Sequence, residues 1–116
     1  MQQPDSLLPL PATTFHILMA LADGERHGYA IIQDVAERTN GAVKLSAGTL
    51  YRAIHRMLEE GLLEETDERP YPEEDDERRR YYRITTFGAE VARAEARRLT
   101  ELLRLARGSG FAPRKS

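Results

Sequence analysis

The sequence predicts a mainly α-helical fold with a small β-hairpin: a winged helix-turn-helix continued by one long C-terminal helix. Three observations predict it. Three short helical periods follow one another after Pro11, with only Thr39 to Leu45 joining the second to the third. Two β-rich runs, Leu62 to Thr66 and Arg79 to Ile84, bracket a proline-containing acidic loop. A single long amphipathic period then extends to about Arg107.

The elements follow in order. Pro11 suits the first turn of a helix, and ATTFHILMALADG places Phe15, Leu18, Met19 and Leu21 at helical spacing before Gly24. The second helix starts near His27. Tyr29, Ile32, Val35 and Ala36 are expected to form its apolar stripe, and Asn40-Gly41 to stop it. Ser46 is a good N-cap for the third helix, which Gly61 ends. Around that helix, at 100° per residue, Ala47, Leu50, Ile54, Met57 and Leu58 share one arc. Gly48, Thr49, Arg52, His55, Arg56 and Glu59 share the other. Hydrogen-bond donors set around a bare glycine make a surface suited to the major groove of DNA. The plain alternative is an amphipathic helix with a solvated polar face.

On the returning strand, alternation puts Arg80, Tyr82 and Ile84 on an expected core face. Arg79, Tyr81 and Arg83 take the other face, where arginines would meet backbone phosphates and add salt dependence without sequence information. Pairing of these arginines with the preceding acidic loop is the competing reading. Thr85 or Thr86 caps the last helix, in which Leu99, Leu102, Leu103 and Ala106 recur at i, i+3, i+4 and i+7, with Val91 two turns earlier. An apolar stripe on a helix outside the tri-helical unit calls for a partner. The expected contact is a homodimer, joined by Phe15 of the first helix and by the N-terminal Leu7, Leu8 and Leu10. Residues 7–85 thus form the expected DNA-binding domain and 86–107 the dimerisation helix, with flexible tails at 1–6 and 108–116.

Composition narrows the function. The 116 residues carry 17 basic and 19 acidic side chains, a net charge of −2. That balance hides a division: residues 64–77 hold nine acids and one base, and residues 78–116 eleven bases and three acids. A near-neutral total therefore does not oppose a local basic surface. With no cysteine, disulfides and thiolate metal sites are excluded. No apolar run approaches membrane-spanning length. The opening MQQPDSLLPLPATT lacks the basic region and apolar core of a secretory leader, so the expected compartment is the cytoplasm. His16, His27 and His55 lack metal spacing, and no serine–histidine–acid set or phosphate-binding glycine loop can be assembled. The run Glu73 to Glu77 lacks the alternation and turn glycine of a calcium loop. Neither an enzyme, a metal nor a cofactor is expected.

The segments HGYAI (His27 to Ile31), LSAGTLYRAIHRMLEEGLL (Leu45 to Leu63) and RRYYRITTFG (Arg79 to Gly88) together resemble the PadR-type transcriptional regulators, over roughly residues 7–106. The resemblance implies a winged helix-turn-helix with a dimer-building C-terminal helix, binding double-stranded operator DNA, most often as a repressor. In some members small molecules trigger release, which implies a possible effector of unknown identity. Ser46, Gly48, Thr49, Tyr51 and Arg52 match the family's DNA-facing stretch, with Arg56 one turn further on. The single C-terminal helix looks like the short subfamily, in which the dimer interface is small. The long acidic wing departs from the family's basic or neutral tip. The alternative function is a winged-helix module for protein interaction that does not bind DNA.

Overall fold

The computed structural model describes residues 3–66 and 80–111. A 3-10 turn, Pro4–Leu7, leads into α1 (Ala12–Ala20), β1 (Arg26–His27), α2 (Gly28–Arg38) and α3 (Ala47–Glu59). Strands β2 (Leu63–Thr66) and β3 (Tyr81–Ile84) follow, and α4 (Thr86–Gly108) closes the order. The architecture is the expected one with an addition. The hairpin is widened by β1 into a three-stranded antiparallel sheet of order β1-β3-β2. A two-residue strand has no periodicity of its own; it exists because the free edge of β3 offers Tyr81 and Tyr82 as partners for His27 and Arg26.

Helix α1 is central, because it is apolar on nearly every side. Ile17, Leu18 and Ala20 are fully buried, as is Leu21 just beyond its end, and they meet Ile31 and Val35 of α2, Leu50, Ile54 and Met57 of α3, and Val91 of α4. Leu62, Leu63 and Tyr82 extend this core beneath the sheet. Some expected apolar positions fall outside it, Ala36 of α2 being half-buried. Tyr29 is 65% exposed, because the buried side of α2 runs through Gly28, Ile31 and Val35 instead. Ala47 is exposed, since the first turn of α3 projects beyond the helices it packs against.

The helix ends carry most of the local instructions. Ser46 Oγ accepts from the Thr49 N–H at 3.1 Å and caps α3. At the other end the Leu62 N–H reaches Met57 O and the Gly61 N–H reaches Leu58 O, with Gly61 at φ +76°. That is a Schellman ending, and a side chain there would be strained. Between α2 and α3, Asn40 and Gly41 both take positive φ, and the Thr39 hydroxyl donates to Val35 O while accepting from the Val43 N–H.

The start of α4 is tied to the end of α3. Thr85 Oγ1 accepts from the Gly88 N–H at 2.9 Å and donates to Gly61 O at 2.6 Å. The Thr85 N–H donates to Leu62 O at 3.1 Å. Gly88 lies so close that a Cβ there would come within 2.2 Å of the Leu62 carbonyl oxygen. Further along α4, Val91, Ala94 and Glu95 are buried, after which the helix leaves the body.

Candidate nucleic-acid interface

The outer face of α3 is built as the sequence indicates, with differences in detail. Leu50, Ile54 and Met57 anchor the inner face, each 2% exposed or less. That turns Ser46, Gly48, Tyr51, Arg52, His55, Arg56 and Glu59 outward, with Thr49 half-buried at the margin. The Ser46 hydroxyl also donates to Thr49 Oγ1 at 3.0 Å, so cap and first turn form one polar cluster. Arg52 Nη2 stands 3.5 Å from Thr49 Oγ1. Neither Arg52 nor Arg56 has a carboxylate partner among the described residues; Arg56 does not take up Glu59 or Glu60. Glu59 faces His55 instead, at 3.4 Å, with both side chains largely in solvent.

Gly48 is informative for what does not require it. Its φ is not in the left-handed region, and a Cβ there would meet only Arg52 Nη1 at an ordinary 3.5 Å. Among the described residues nothing calls for glycine at this position. Tyr51 behaves differently. It is 43% exposed, and its hydroxyl lies over Gly28, where a Cβ would come within 2.3 Å. The ring is therefore seated on the N-terminus of α2, and the histidine-glycine pair of HGYAI has a purpose. Gly28 makes room for Tyr51, and His27 Nδ1 accepts from the Ala30 N–H at 3.2 Å to cap the helix.

The wing strands tell the other half. Tyr82 is buried and Ile84 half-buried, as alternation requires; burial first and Glu65 second push the Tyr82 hydroxyl above its ordinary pKa. Arg80 precedes the strand and is exposed. Arg83 stands opposite Glu64 in the β2–β3 register and pairs with it at 2.8 Å. Arg80 pairs with Glu65 at 3.2 Å. Tyr81 presents its ring edge-on to His27, with centroids 5.5 Å apart and planes at 87°. Arg79 and the acidic stretch 67–77 lie outside the described residues. Among the described residues, the glutamates that pair with Arg80 and Arg83 come from β2.

Of the positions expected at a dimer contact, Leu99, Leu102 and Leu103 are 38, 53 and 41% exposed, joined by Leu105 at 52%. Ala106 is half-buried. Val91 is not available: it is wholly buried in the protomer's own core, because α4 is still packed on α1 at that turn. Leu8 and Phe15 are half-buried against the same core.

Two acids, Glu95 buried and Asp34 half-buried, went unread in the sequence. Glu95 is 2% exposed and accepts both Arg98 hydrogen bonds, at 2.8 Å each, and the Leu10 N–H at 3.4 Å. The Arg98 guanidinium holds its carboxyl below the ordinary range against the opposing effect of burial. Asp34 pairs with Arg26 and Arg38, while Arg26 Nε also donates to Ala20 O, binding the ends of α1, β1 and α2 together. The signals were present as Glu95–Arg98 and Asp34–Arg38, spaced as helix neighbours.

Residues 17–94 match the family model of the transcriptional regulator PadR-like family. The chain is 36% identical over 93 residues to the transcriptional regulator Rv3488 of Mycobacterium tuberculosis, covering 80% of each. It is 37% identical over 73 residues to an uncharacterised protein of Lysinibacillus sphaericus, a match spanning 62% of this chain and 63% of that one, less than two thirds of either. Among solved structures it is similar to a PadR family transcription regulator from Clostridium difficile, with TM-score 0.69, 22% identity, and 84 and 97% of the two chains covered. It is also similar to a transcriptional regulator from Clostridium thermocellum, with TM-score 0.68, 23% identity, and 82 and 89% covered. At that identity the structural likeness is one of fold.

Proposed function

The chain belongs to the PadR-like family of transcriptional regulators, and from that premise we propose that it binds a palindromic operator as a homodimer and represses transcription from within the cytoplasm. The observation that carries this reading is the outer face of α3. Two arginines without carboxylate partners among the described residues stand beside a glycine where a Cβ would make only an ordinary contact. Ser46, Gly48, Thr49 and Arg52 enter the major groove, where a bidentate Arg52–guanine contact supplies roughly 1–3 kcal/mol of discrimination. Arg56 and the Tyr51 hydroxyl take phosphates, and Arg83 and Tyr81 approach the flanking backbone. The exposed leucines of α4 supply the dimer contact, which sets two recognition helices about one duplex turn, some 34 Å, apart.

The test is a protection footprint on the promoter beside the gene, followed by affinity measurements at several salt concentrations for wild type and Arg52→Ala. A two-fold symmetric footprint that Arg52→Ala abolishes supports the proposal. Equally weak binding to every duplex, unchanged by Arg52→Ala, overturns it in favour of a module that docks on proteins.

A further inference from the structure

Beside the outer face of α3 lies a separate cleft of about 200 Å³, between the N-terminus of α1 and the flank of α3. Pro11, Thr13 and Thr14 line it from α1, and Thr49, Arg52 and Arg56 from α3. No carboxylate lines it among the described residues. Pro11 stands at the N-cap of α1 and has no side chain able to cap, so the N–H groups of Ala12, Thr13 and Thr14 have no acceptor among the described residues. They form the positive end of the helix.

A second observation is independent of that helix end. Thr14 is only 4% exposed, yet its hydroxyl makes no hydrogen bond among the described residues. A threonine inside a helix ordinarily satisfies its hydroxyl on a carbonyl one turn back, and a buried polar group without a partner is uncommon. Thr14 lines the cleft together with unpaired N–H groups of α1 and two arginines that have no carboxylate partner among the described residues. Apart from Pro11 and Ala53, the side chains lining it are hydroxyls and guanidiniums, all able to donate to an anion.

We propose that this cleft seats a backbone phosphate of the bound duplex, held by the Thr14 hydroxyl, the first N–H groups of α1, and Arg56. Arg52 and Arg56 also line the exposed face of α3, so a phosphate here lies on the strand flanking the groove that α3 enters. Such a contact fixes the register of α3 on the duplex and carries no base information. The proposal rests on the DNA-binding reading above and adds to it a contact from the first helix.

The test compares wild type with Thr14→Val, Thr14→Ser, Arg56→Gln and Arg52→Ala, on an operator duplex and a scrambled duplex over a range of salt. Thr14→Val is expected to weaken binding to both duplexes by the same factor, roughly three- to tenfold, without lowering the melting temperature. Thr14→Ser restores it. Arg56→Gln is expected to weaken both equally and reduce the log–log salt slope by about one. Amide shifts of Ala12 to Thr14 separate the phosphate sources. Response to the duplex well below the concentration of inorganic phosphate that produces it supports the proposal, and response to inorganic phosphate alone overturns it. If Thr14→Val and Arg56→Gln bind like wild type while Arg52→Ala does not, the cleft proposal falls and the regulator reading stands. If wild type binds no duplex, both fall.

Discussion

Glu64 and Arg83 face each other across β2 and β3, directly in register, with carboxylate and guanidinium 2.8 Å apart and each about half exposed. The pairing sets a strand glutamate against an arginine that the proposed function turns toward the DNA backbone. An exposed pair of this kind contributes at most about 1 kcal/mol to stability. Its larger effect is on the charge the wing offers. Glu64→Gln should therefore leave the melting temperature nearly unchanged, tighten binding to every duplex, and steepen the log–log salt slope by about one. An unchanged slope in fluorescence-anisotropy titrations would exclude Arg83 from the phosphate contacts.

Gly48 separates stability from binding. A helix gains from replacing glycine with alanine, by up to about 1 kcal/mol, and the added Cβ meets nothing closer than 3.5 Å within the chain. Gly48→Ala should hold or raise the melting temperature while weakening operator binding at least tenfold. A variant that is equally stable and binds normally would show that the backbone there is not closely approached.

Gly88→Ala should do the reverse. Its Cβ is driven to 2.2 Å from a backbone oxygen and 3.0 Å from Ile84 Cγ1, and no side-chain rotation relieves the former. The expected cost is about 1–3 kcal/mol, read as a fall of several degrees in melting temperature. Because the clash lies between α4 and the end of α3, DNA affinity should fall with it.

Glu95 predicts an acid-sensitive fold. Its carboxyl is held below the ordinary value chiefly by the Arg98 hydrogen bonds. The folded state therefore prefers the ionised form more than the unfolded state does. That stabilisation is complete above the unfolded carboxylate range, near pH 4.3, and drains away as pH falls through the lower folded value. Melting temperature against pH should bend downward below about pH 4.5 in wild type and bend less in Glu95→Gln. Identical curves would show that other carboxylates govern the acid limb.

Leu102 and Leu103 test the assembly. Both are about half exposed on a stretch of α4 that leaves the body. Leu102→Glu with Leu103→Glu should leave the protomer folded, shift sedimentation from dimer to monomer, and weaken operator binding steeply. A monomeric wild type would remove the leucines from any such role.

Much of this was readable in the chain because it is written in local signals. Ser46, Gly41, Gly61 and Thr85 mark helix ends by capping chemistry and positive φ, and their meaning needs no tertiary context. The outer face of α3 follows from periodicity alone. What escaped was set by neighbours distant in sequence. Tyr29 fits an apolar stripe by spacing, yet the first turn of α2 is covered on its Gly28 side by Tyr51 and open on the other. Glu95 reads as a solvated acid until Arg98 and the Leu10 N–H converge on it. The Glu64–Arg83 pair depends on strand register, which the residue pattern of the two strands does not fix by itself.

The bonds of Thr85 to Gly61 and Leu62 have a mechanical consequence. They tie the start of α4 directly to the chain leaving α3, so the two helices share one root. Helix α4, with 23 residues, is a lever about 34 Å long. A tilt of about 5° at its root displaces its far end by roughly 3 Å. A contact made on the exposed leucines toward that far end would therefore act through a long arm on the root that α4 shares with the end of α3.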